Sequence, residues 1–286
     1  MSGAPARLSV NRESLRQWTL PELVDGCAAR GVGGVGLWRH DVAAHGARRA
    51  AALVRDAGLA VTSLCRGGFF TAADPAGRRA GRDDNRRAVE EAAALGTGVL
   101  VLVSGGLPDG NLDLAGARDR VADAVAELAP FAADRGVRLA VEPLHPMFCS
   151  DRCVVSTLDQ ALDLALRDRT GTVGVVVDAY HVWWDPNLAA AIARAGAHRR
   201  IAAFQLADWV TPLPAGVLTG RGMPGDGCIP LRALSEAVDA AGYRGPVEVE
   251  IFNDELWSRP GAEALDLIVE RYRTRVSAPT TEARRT

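Results

Sequence analysis

The sequence predicts a single (β/α)8 barrel of the TIM-barrel type. Short β-branched runs alternate with alanine-rich helical stretches eight times along the chain, which is the pattern of repeated βα units. The alternation leaves no gap for a second core, and 286 residues, 48% of them hydrophobic, suit one barrel of about 250 residues. We therefore predict a barrel domain over 1–274 and a flexible polar tail over 275–286.

The predicted strands are short and rich in valine, leucine and isoleucine. In chain order they are 8–11, 34–37, 59–64, 99–103, 138–142, 172–178, 201–206 and 247–251. The first helix begins at Thr19, where Thr-Leu-Pro-Glu22 forms a capping-box pattern, and ends before Gly31. The later helices are predicted over about 43–57, 82–95, 114–135, 157–166, 187–195, 231–241 and 261–273.

A doubly wound open sheet is the competing architecture. Such a sheet usually has a glycine-rich cofactor-binding turn between an early strand and its helix. The run Gly31-Val-Gly-Gly-Val-Gly36 is superficially similar, but it precedes a strand instead of joining a strand to a helix. The barrel is therefore favoured.

Composition excludes several kinds of chemistry. The chain contains no lysine, so it cannot form a Schiff base with a substrate or with pyridoxal phosphate, and the lysine-dependent phosphate loop is also excluded. An enzyme of this composition that stabilises a carbanion beside a carbonyl would need another electron sink, for which a metal ion is the obvious candidate. The net charge of −2 and the lack of a basic stripe give no support for nucleic-acid binding.

Cysteine use and the N-terminal sequence predict a soluble, cytoplasmic protein. The chain has five cysteines and no CxxC pair, which is more typical of reduced thiols than of a disulfide framework. The first residues contain no apolar stretch of signal-peptide type, and no apolar run is long enough to span a membrane. We expect no membrane association.

Four oxygen-bearing side chains stand at the ends of the last four predicted strands. They are Glu142, Asp178, Gln205 and Glu250. The carboxyl ends of barrel strands meet on one face, and a buried carboxylate is costly unless it has a partner. Three carboxylates and a carboxamide form a hard donor set that suits Mn²⁺, Mg²⁺ or Co²⁺. Single strand-end acids are usually surface ion pairs, but four at matched positions predict a metal site.

Several nearby residues are candidate substrate contacts. His145 and His181 each follow a predicted ligand by three residues. Arg221 lies in a Gly/Pro-rich loop after the seventh strand, where it could bind a substrate oxygen or simply pair with Asp226. Trp184 follows the sixth strand and could provide a flat wall for a sugar ring, or only packing.

Glu248 shares the strand face of Glu250 but lies one pleat deeper. We interpret it as a buried hydrogen-bonding partner and not as a ligand.

The strand-end motifs resemble those of the sugar phosphate isomerase/epimerase group of xylose isomerase-like barrels. The motifs are Val-Glu142-Pro-Leu-His-Pro-Met, Val-Asp178-Ala-Tyr-His-Val-Trp-Trp, Phe-Gln205-Leu-Ala-Asp-Trp, Arg-Gly-Met-Pro-Gly-Asp-Gly and Glu-Val-Glu250-Ile-Phe. Members of this group include ketose 3-epimerases, hydroxypyruvate isomerase, inosose isomerases and dehydratases, and 3-dehydroshikimate dehydratase. The resemblance extends over nearly the whole chain.

The resemblance implies roles for individual residues. Glu142, Asp178, Gln205 and Glu250 would be metal ligands, and His181 and Arg221 would contact the substrate. Many relatives have histidine where this chain has Gln205, so the cofactor expected here is Mn²⁺ or Mg²⁺, with Co²⁺ or Zn²⁺ as alternatives. The resemblance also implies a small sugar or keto-cyclitol substrate and a homodimer or homotetramer.

The reaction expected from these features is isomerisation or epimerisation of a small keto-sugar or related hydroxy-ketone. Glu142 and Glu250 would transfer the α-proton through a metal-stabilised enediolate. Loss of a β-hydroxyl from the same species would instead make the protein a dehydratase or lyase that acts on a keto-cyclitol or a 3-dehydroshikimate-like compound.

Two further alternatives come from other functional classes. An endonuclease acting at abasic DNA sites would need a histidine-rich zinc centre and a positive groove, and five histidines with no lysine argue against it. A non-catalytic sugar-binding protein would bind sugar without a metal.

Overall fold

The structure is a computed structural model that describes residues 6–214 and 216–277. Eight parallel strands close into a barrel, and a separate two-stranded antiparallel sheet lies beside its mouth. The barrel strands are β1 (Leu8–Asn11), β2 (Gly34–Trp38), β3 (Ala60–Gly68), β4 (Val99–Val103), β5 (Arg138–Glu142), β6 (Val173–Asp178), β7 (Ile201–Leu206) and β10 (Val247–Val249). The small sheet contains β8 (Asp208–Trp209) and β9 (Arg221–Gly222).

Closure of the barrel confirms the predicted fold class. Each strand pairs with the next strand of the barrel in chain order, and β10 pairs with β1 to complete the circle. An open doubly wound sheet has two unpaired edge strands, so this topology excludes it.

Helices follow the barrel strands, and the longer ones cover the outside of the barrel. They are α1 (Leu20–Ala29), α2 (Arg39–His45), α3 (Ala47–Asp56), α4 (Pro75–Leu95), α5 (Leu114–Ala133), α6 (Leu158–Arg167), α7 (Ala179–Val182), α8 (Leu188–Ala197), α9 (Leu231–Ala240), α10 (Asp254–Ser258) and α11 (Gly261–Arg271). Thr19 caps α1 with the predicted capping box. None of the helices in the described ranges has the length and apolar character needed to cross a membrane.

The elements differ from the sequence prediction at a few points. The second predicted helix is two helices, because Gly46 between them has a φ of +78° that ends α2. The helix before the fourth strand begins at Pro75, seven residues earlier than predicted, since Asp74 caps it there. The β8–β9 pair and α10 were not predicted, because both are too short to show periodicity.

The predicted domain boundary at 274/275 falls within a π-helical turn, Tyr272–Val276. Val276 is buried in the large hydrophobic core, so the packed region extends at least to this residue. Residues 278–286 of the predicted tail lie outside the described residues.

Small apolar residues fill the barrel interior below the carboxyl ends of the strands. Cys65, Val101, Ala140, Val176 and Ala203 belong to a buried cluster separate from the large core between barrel and helices. Side chains two residues apart on a strand share a face, so Glu142, Asp178 and Gln205 stand directly above members of this cluster. Glu142, Asp178 and Gln205 therefore have an apolar floor beneath them.

Candidate metal centre and active site

The four predicted ligands lie at the carboxyl mouth of the barrel. Glu142 and Asp178 end their strands, Asp178 is in register with Gln205, and Glu250 directly follows β10. All four side chains are buried, with relative exposures of at most 6%. The barrel topology therefore gathers residues that are more than a hundred positions apart in the sequence.

Two oxygens in this group have no hydrogen-bond partner among the described residues. Asp178 accepts a hydrogen bond from the Tyr180 backbone N–H through Oδ1 (2.9 Å), but its Oδ2 has none. Gln205 donates through Nε2 to Glu248 (3.0 Å), and its Oε1 also has none. Leaving such atoms unpaired costs free energy, so a cation or donor is expected to face them. The residues therefore fit a divalent metal ion.

Burial and mutual repulsion perturb the carboxyl groups. Burial raises the pKa of Glu142 well above its usual value, and the nearby Asp178 and Glu250 raise it further. Burial also raises the pKa of Glu250 to about 7, although Arg221 opposes the shift. The pKa of Asp178 is raised by burial as well. A divalent cation would relieve this repulsion because it compensates two of the negative charges.

Arg221 lies against the acidic group. Its Nη1 donates to Glu250 Oε2 (2.8 Å) and is 3.7 Å from Asp178 Oδ2, while the guanidinium stacks on Tyr180 and Phe252. The alternative pairing with Asp226 does not occur, since Asp226 pairs with Arg271 at 3.1 Å.

The β8–β9 pair holds Arg221 in place. Asn253 Nδ2 donates to the Arg221 backbone carbonyl, and the Arg221 N–H donates to the carbonyl of Phe252. Asp208 in β8 accepts backbone hydrogen bonds from Gly225 and Ile229, which fixes the turn that follows β9. Arg221 is thus positioned by hydrogen bonds at both ends of the loop after β7.

His181 lies between Arg221 and the carboxylates. Its Nε2 is 3.8 Å from Asp178 Oδ2 and 3.9 Å from Glu142 Oε1. Burial lowers the pKa of His181 well below its usual value, and Arg221 lowers it further, so the ring is neutral. Donors face both ring nitrogens, the His145 N–H at 3.3 Å and Arg221 Nη2 at 3.2 Å. Because the His145 N–H donates to Nδ1, the proton of the neutral ring lies on Nε2, which faces the carboxylates of Asp178 and Glu142.

The structure does not bring His145 and Trp184 to the cavity. The backbone of His145 contacts His181, and its ring packs on Trp184 and Trp209 at centroid distances of 5.6 and 4.9 Å. Trp184 Nε1 donates to the backbone carbonyl of His181 (2.9 Å). Both residues therefore stand behind His181 and hold its loop.

Glu248 has the hydrogen-bonding position expected for it. Its carboxylate accepts from Asn11 Nδ2 (2.7 Å), Gln205 Nε2 (3.0 Å), Thr62 Oγ1 (3.0 Å) and Ser63 Oγ (2.8 Å). The contact with Gln205 orients that amide, so that Oε1 is directed away from Glu248. Gly36 leaves the necessary space, because a Cβ there would stand only 2.6 Å from the carboxylate.

A cavity of about 760 Å³ opens above the predicted ligands. Glu142, His181, Arg221 and Glu250 form part of its wall. Its other lining residues include several aromatic rings and arginines, namely Trp38, Phe69, Phe148, Phe252, Trp257, Arg12, Arg16, Arg66 and Arg152. Such a mixture of flat apolar walls and polar groups suits a small polar molecule with a carbon ring or chain.

Comparison with known proteins agrees with this architecture. The family model described as xylose isomerase-like TIM barrel matches residues 24–271. The chain belongs to this family. The resemblance drawn from the strand-end motifs is thereby confirmed.

Two curated relatives of this xylose isomerase-like barrel are enzymes. It is 32% identical over 264 residues to a 3-dehydroshikimate dehydratase of Pseudomonas aeruginosa, a match that covers 87% of the chain and 38% of the relative. It is 30% identical over 146 residues to an inosose isomerase of Bacillus subtilis, a match that covers 50% of each. The chain thus spans half or less of the length of these relatives.

Solved structures are similar over nearly the full length. A crystal structure of a protein from Sinorhizobium meliloti 1021 has a TM-score of 0.92 and 48% identity, and covers 95% of this chain and 99% of that one. The crystal structure of the IOLI protein with a bound zinc atom has a TM-score of 0.80 at 21% identity, with 93% and 96% coverage. The second similarity shows the fold alone.

Sequence reasoning missed part of the mouth of this xylose isomerase-like barrel. Trp38 ends β2, Arg66 lies within β3 two residues before its end, and Phe252 and Trp257 follow β10. The strand-end rule that found Glu142 could also have found Trp38, because both end a barrel strand. Arg66 was not identified because β3 extends to Gly68, four residues beyond the predicted end of this strand.

Proposed function

We propose that this protein is a divalent-metal-dependent isomerase or epimerase of a small keto-sugar or related hydroxy-ketone. The observation that supports this most directly is the pair of unpartnered buried oxygens, Asp178 Oδ2 and Gln205 Oε1, beside the carboxylates of Glu142 and Glu250 on the cavity wall. Oxygen donors with this net negative charge suit a hard divalent cation, with Mn²⁺ or Mg²⁺ favoured over the softer Zn²⁺.

The four strand-end residues would hold the metal. A bound divalent cation would draw electron density from a substrate carbonyl and so lower the cost of removing the neighbouring proton. All four donors are neutral or anionic oxygens on rigid strand ends, so little reorganisation of the protein would accompany binding.

Glu142 and Glu250 are the proposed proton-transfer groups. Glu142 ends β5 and Glu250 directly follows β10, two strands separated around the barrel by β6 and β7, and both side chains line the same cavity. One would remove the α-proton, and the same or the other group would return it. Return to the opposite face of the same carbon gives an epimer, and return to the adjacent carbon gives an aldose–ketose isomer. The pKa of Glu250 is about 7 in the metal-free protein, and a bound cation would lower it, so the carboxylate would be ionised and able to act as a base at neutral pH.

His181 and Arg221 would hold the substrate oxygens. Both are buried at the base of the cavity and have donors directed toward it or toward the carboxylates. A buried donor that faces a developing negative oxygen stabilises it strongly, because little water competes.

Dehydration is the second candidate reaction. The relative from Pseudomonas aeruginosa, which matches 87% of this chain, is a 3-dehydroshikimate dehydratase. The same proton abstraction followed by loss of a β-hydroxyl would produce an unsaturated carbonyl compound. Such a product absorbs in the near ultraviolet and an epimer does not, so one absorbance measurement separates the two reactions.

Metal analysis followed by a proton-exchange screen tests the proposal. The purified protein is analysed for bound metal, stripped, and reloaded with Mn²⁺ or Mg²⁺. Deuterium uptake from solvent is then followed by NMR for ketoses, inososes and 3-dehydroshikimate. We expect exchange only in the metal-loaded protein. Failure to bind either cation, or equal exchange after stripping, would contradict the proposal.

Metal affinity is expected to rise with pH up to neutrality. The pKa of Glu250 is about 7 in the metal-free protein, so below this pH the group must lose a proton before it can bind a cation. Linkage of one proton gives about a tenfold loss of affinity per pH unit below pH 7, and more if Glu142 also releases a proton. Isothermal titration with Mn²⁺ between about pH 5.5 and about pH 8 measures this slope. An affinity that does not change with pH would contradict the expectation.

A further inference from the structure

Arg66 is an arginine of the cavity wall with no polar partner. Among the described residues, its guanidinium donates no hydrogen bond and has no carboxylate within 4.0 Å. It packs instead over the rings of Phe69 and Trp38, at 4.3 and 5.8 Å from their centroids. Stacking of this kind holds the plane of a guanidinium and leaves its N–H edges free.

The other arginines of the cavity are already paired. Arg12 binds Asp41 at 3.1 Å, and Arg221 binds Glu250 at 2.8 Å. The remaining two, Arg16 and Arg152, have looser carboxylate neighbours, Glu13 at 3.8 Å and Asp151 at 3.6 Å. Arg66 is therefore distinguished from them by an unused set of donors.

The surroundings of Arg66 under-compensate its charge. Partial burial lowers the pKa of Arg66 from its usual value; among the nearby charges Glu142 opposes the shift most and Arg152 adds to it. Arg66 and Arg152 line the same cavity, where a bound anion would offset the desolvation of Arg66.

We propose that Arg66 binds a carboxylate of the substrate, which makes the substrate a hydroxy-keto acid. This inference rests on the proposed function, because it assumes that the carbonyl end of the molecule is held at the strand-end oxygens. A planar guanidinium with two free parallel N–H groups matches a carboxylate in bidentate fashion. The cavity volume of about 760 Å³ accommodates a molecule with a single six-membered ring, whose carbonyl end would lie at the strand-end oxygens and whose carboxylate would lie at Arg66.

A pair of unreactive probes tests this assignment. 3,4-Dihydroxybenzoate and catechol share two adjacent hydroxyl groups and differ in the carboxylate. We expect the Mn²⁺-loaded protein to bind the benzoate about tenfold to a hundredfold more tightly than catechol, as measured by isothermal titration. Arg66→Gln is expected to abolish this preference, and Arg66→Lys to retain part of it.

Arg16→Gln is the matched control. Arg16 lines the same cavity but stacks on Trp257 and lies beside Glu13, so its loss is expected to leave the preference within about threefold. A preference that survives Arg66→Gln, or no binding of the benzoate by the unaltered protein, would overturn the assignment.

Two further measurements distinguish a carboxylate site from a phosphate site, and the role of Arg66 from the proposed function. Ribulose 5-phosphate is compared with ribulose, and a preference seen for the phosphate but not for the benzoate would overturn the carboxylate assignment in favour of a phosphate. Titration with Mn²⁺ alone reports on the proposed function. If the protein binds Mn²⁺ and binds the two aromatic probes with equal affinity, only the proposed role of Arg66 is contradicted.

Discussion

Replacement of Glu250 by Gln is expected to reduce exchange of the substrate α-proton with solvent deuterium by about a thousandfold. The carboxamide has nearly the same shape and can still accept the hydrogen bond from Arg221 Nη1 (2.8 Å). It cannot accept a proton as a base, so the fold is retained while the chemistry is lost. NMR measurement of deuterium uptake, with the metal at saturating concentration, checks this result.

Two comparisons make the Glu250→Gln result specific. Glu255→Gln, which alters an exposed residue of α10, is expected to leave exchange unchanged. The thermal transition of Glu250→Gln with bound metal should stay close to that of the unaltered protein. Exchange that persists at more than about a tenth of the original rate would exclude Glu250 as the essential base and leave Glu142 as the candidate.

Replacement of Glu248 by Ala is expected to destabilise the protein by about 3 kcal/mol. The change leaves buried donors of Asn11, Ser63 and Gln205 without their acceptor and opens a void above Gly36. It also frees the Gln205 amide, so Mn²⁺ affinity should fall by about tenfold to a hundredfold. Urea unfolding of the metal-free protein and titration with Mn²⁺ measure the two effects.

Glu248→Gln is the corresponding conservative variant. It retains one acceptor oxygen in nearly the same volume, so its loss of stability should be smaller than that of the alanine variant. A destabilisation of less than about 1 kcal/mol for Glu248→Ala would show that the four hydrogen bonds contribute little to folding.

The fold and the core of the candidate site could be predicted because both depend on local pattern. Glu142 and Asp178 are recognisable from the sequence, since each ends an apolar strand and barrel strands end on a common face. The hydrogen-bonding position of Glu248 followed from its being one pleat below Glu250.

Other features depend on how distant segments pack and were not predictable in this way. The pairing of Arg221 with Glu250 requires the β8–β9 pair, which has two residues in each strand and no sequence period. His145 and Trp184 have the right spacing for the cavity, yet they pack behind His181, because a loop can direct side chains to either side. The stacking of Arg66 on Trp38 joins residues of two different strands.

Hydrogen bonds at both ends of the loop after β7 hold Arg221, so the sequence of the loop between them can change during evolution without moving this residue. On one side the Asp208 carboxylate accepts from the Gly225 N–H, and on the other the Phe252 carbonyl and the Asn253 side chain bind the backbone of Arg221. Residues 210–214 and 216–219 between them take part in none of these hydrogen bonds. Insertions or substitutions there could reshape the entrance and alter which molecules are admitted, while the guanidinium keeps its place. New substrate ranges could therefore evolve, or be engineered, without rebuilding the chemistry.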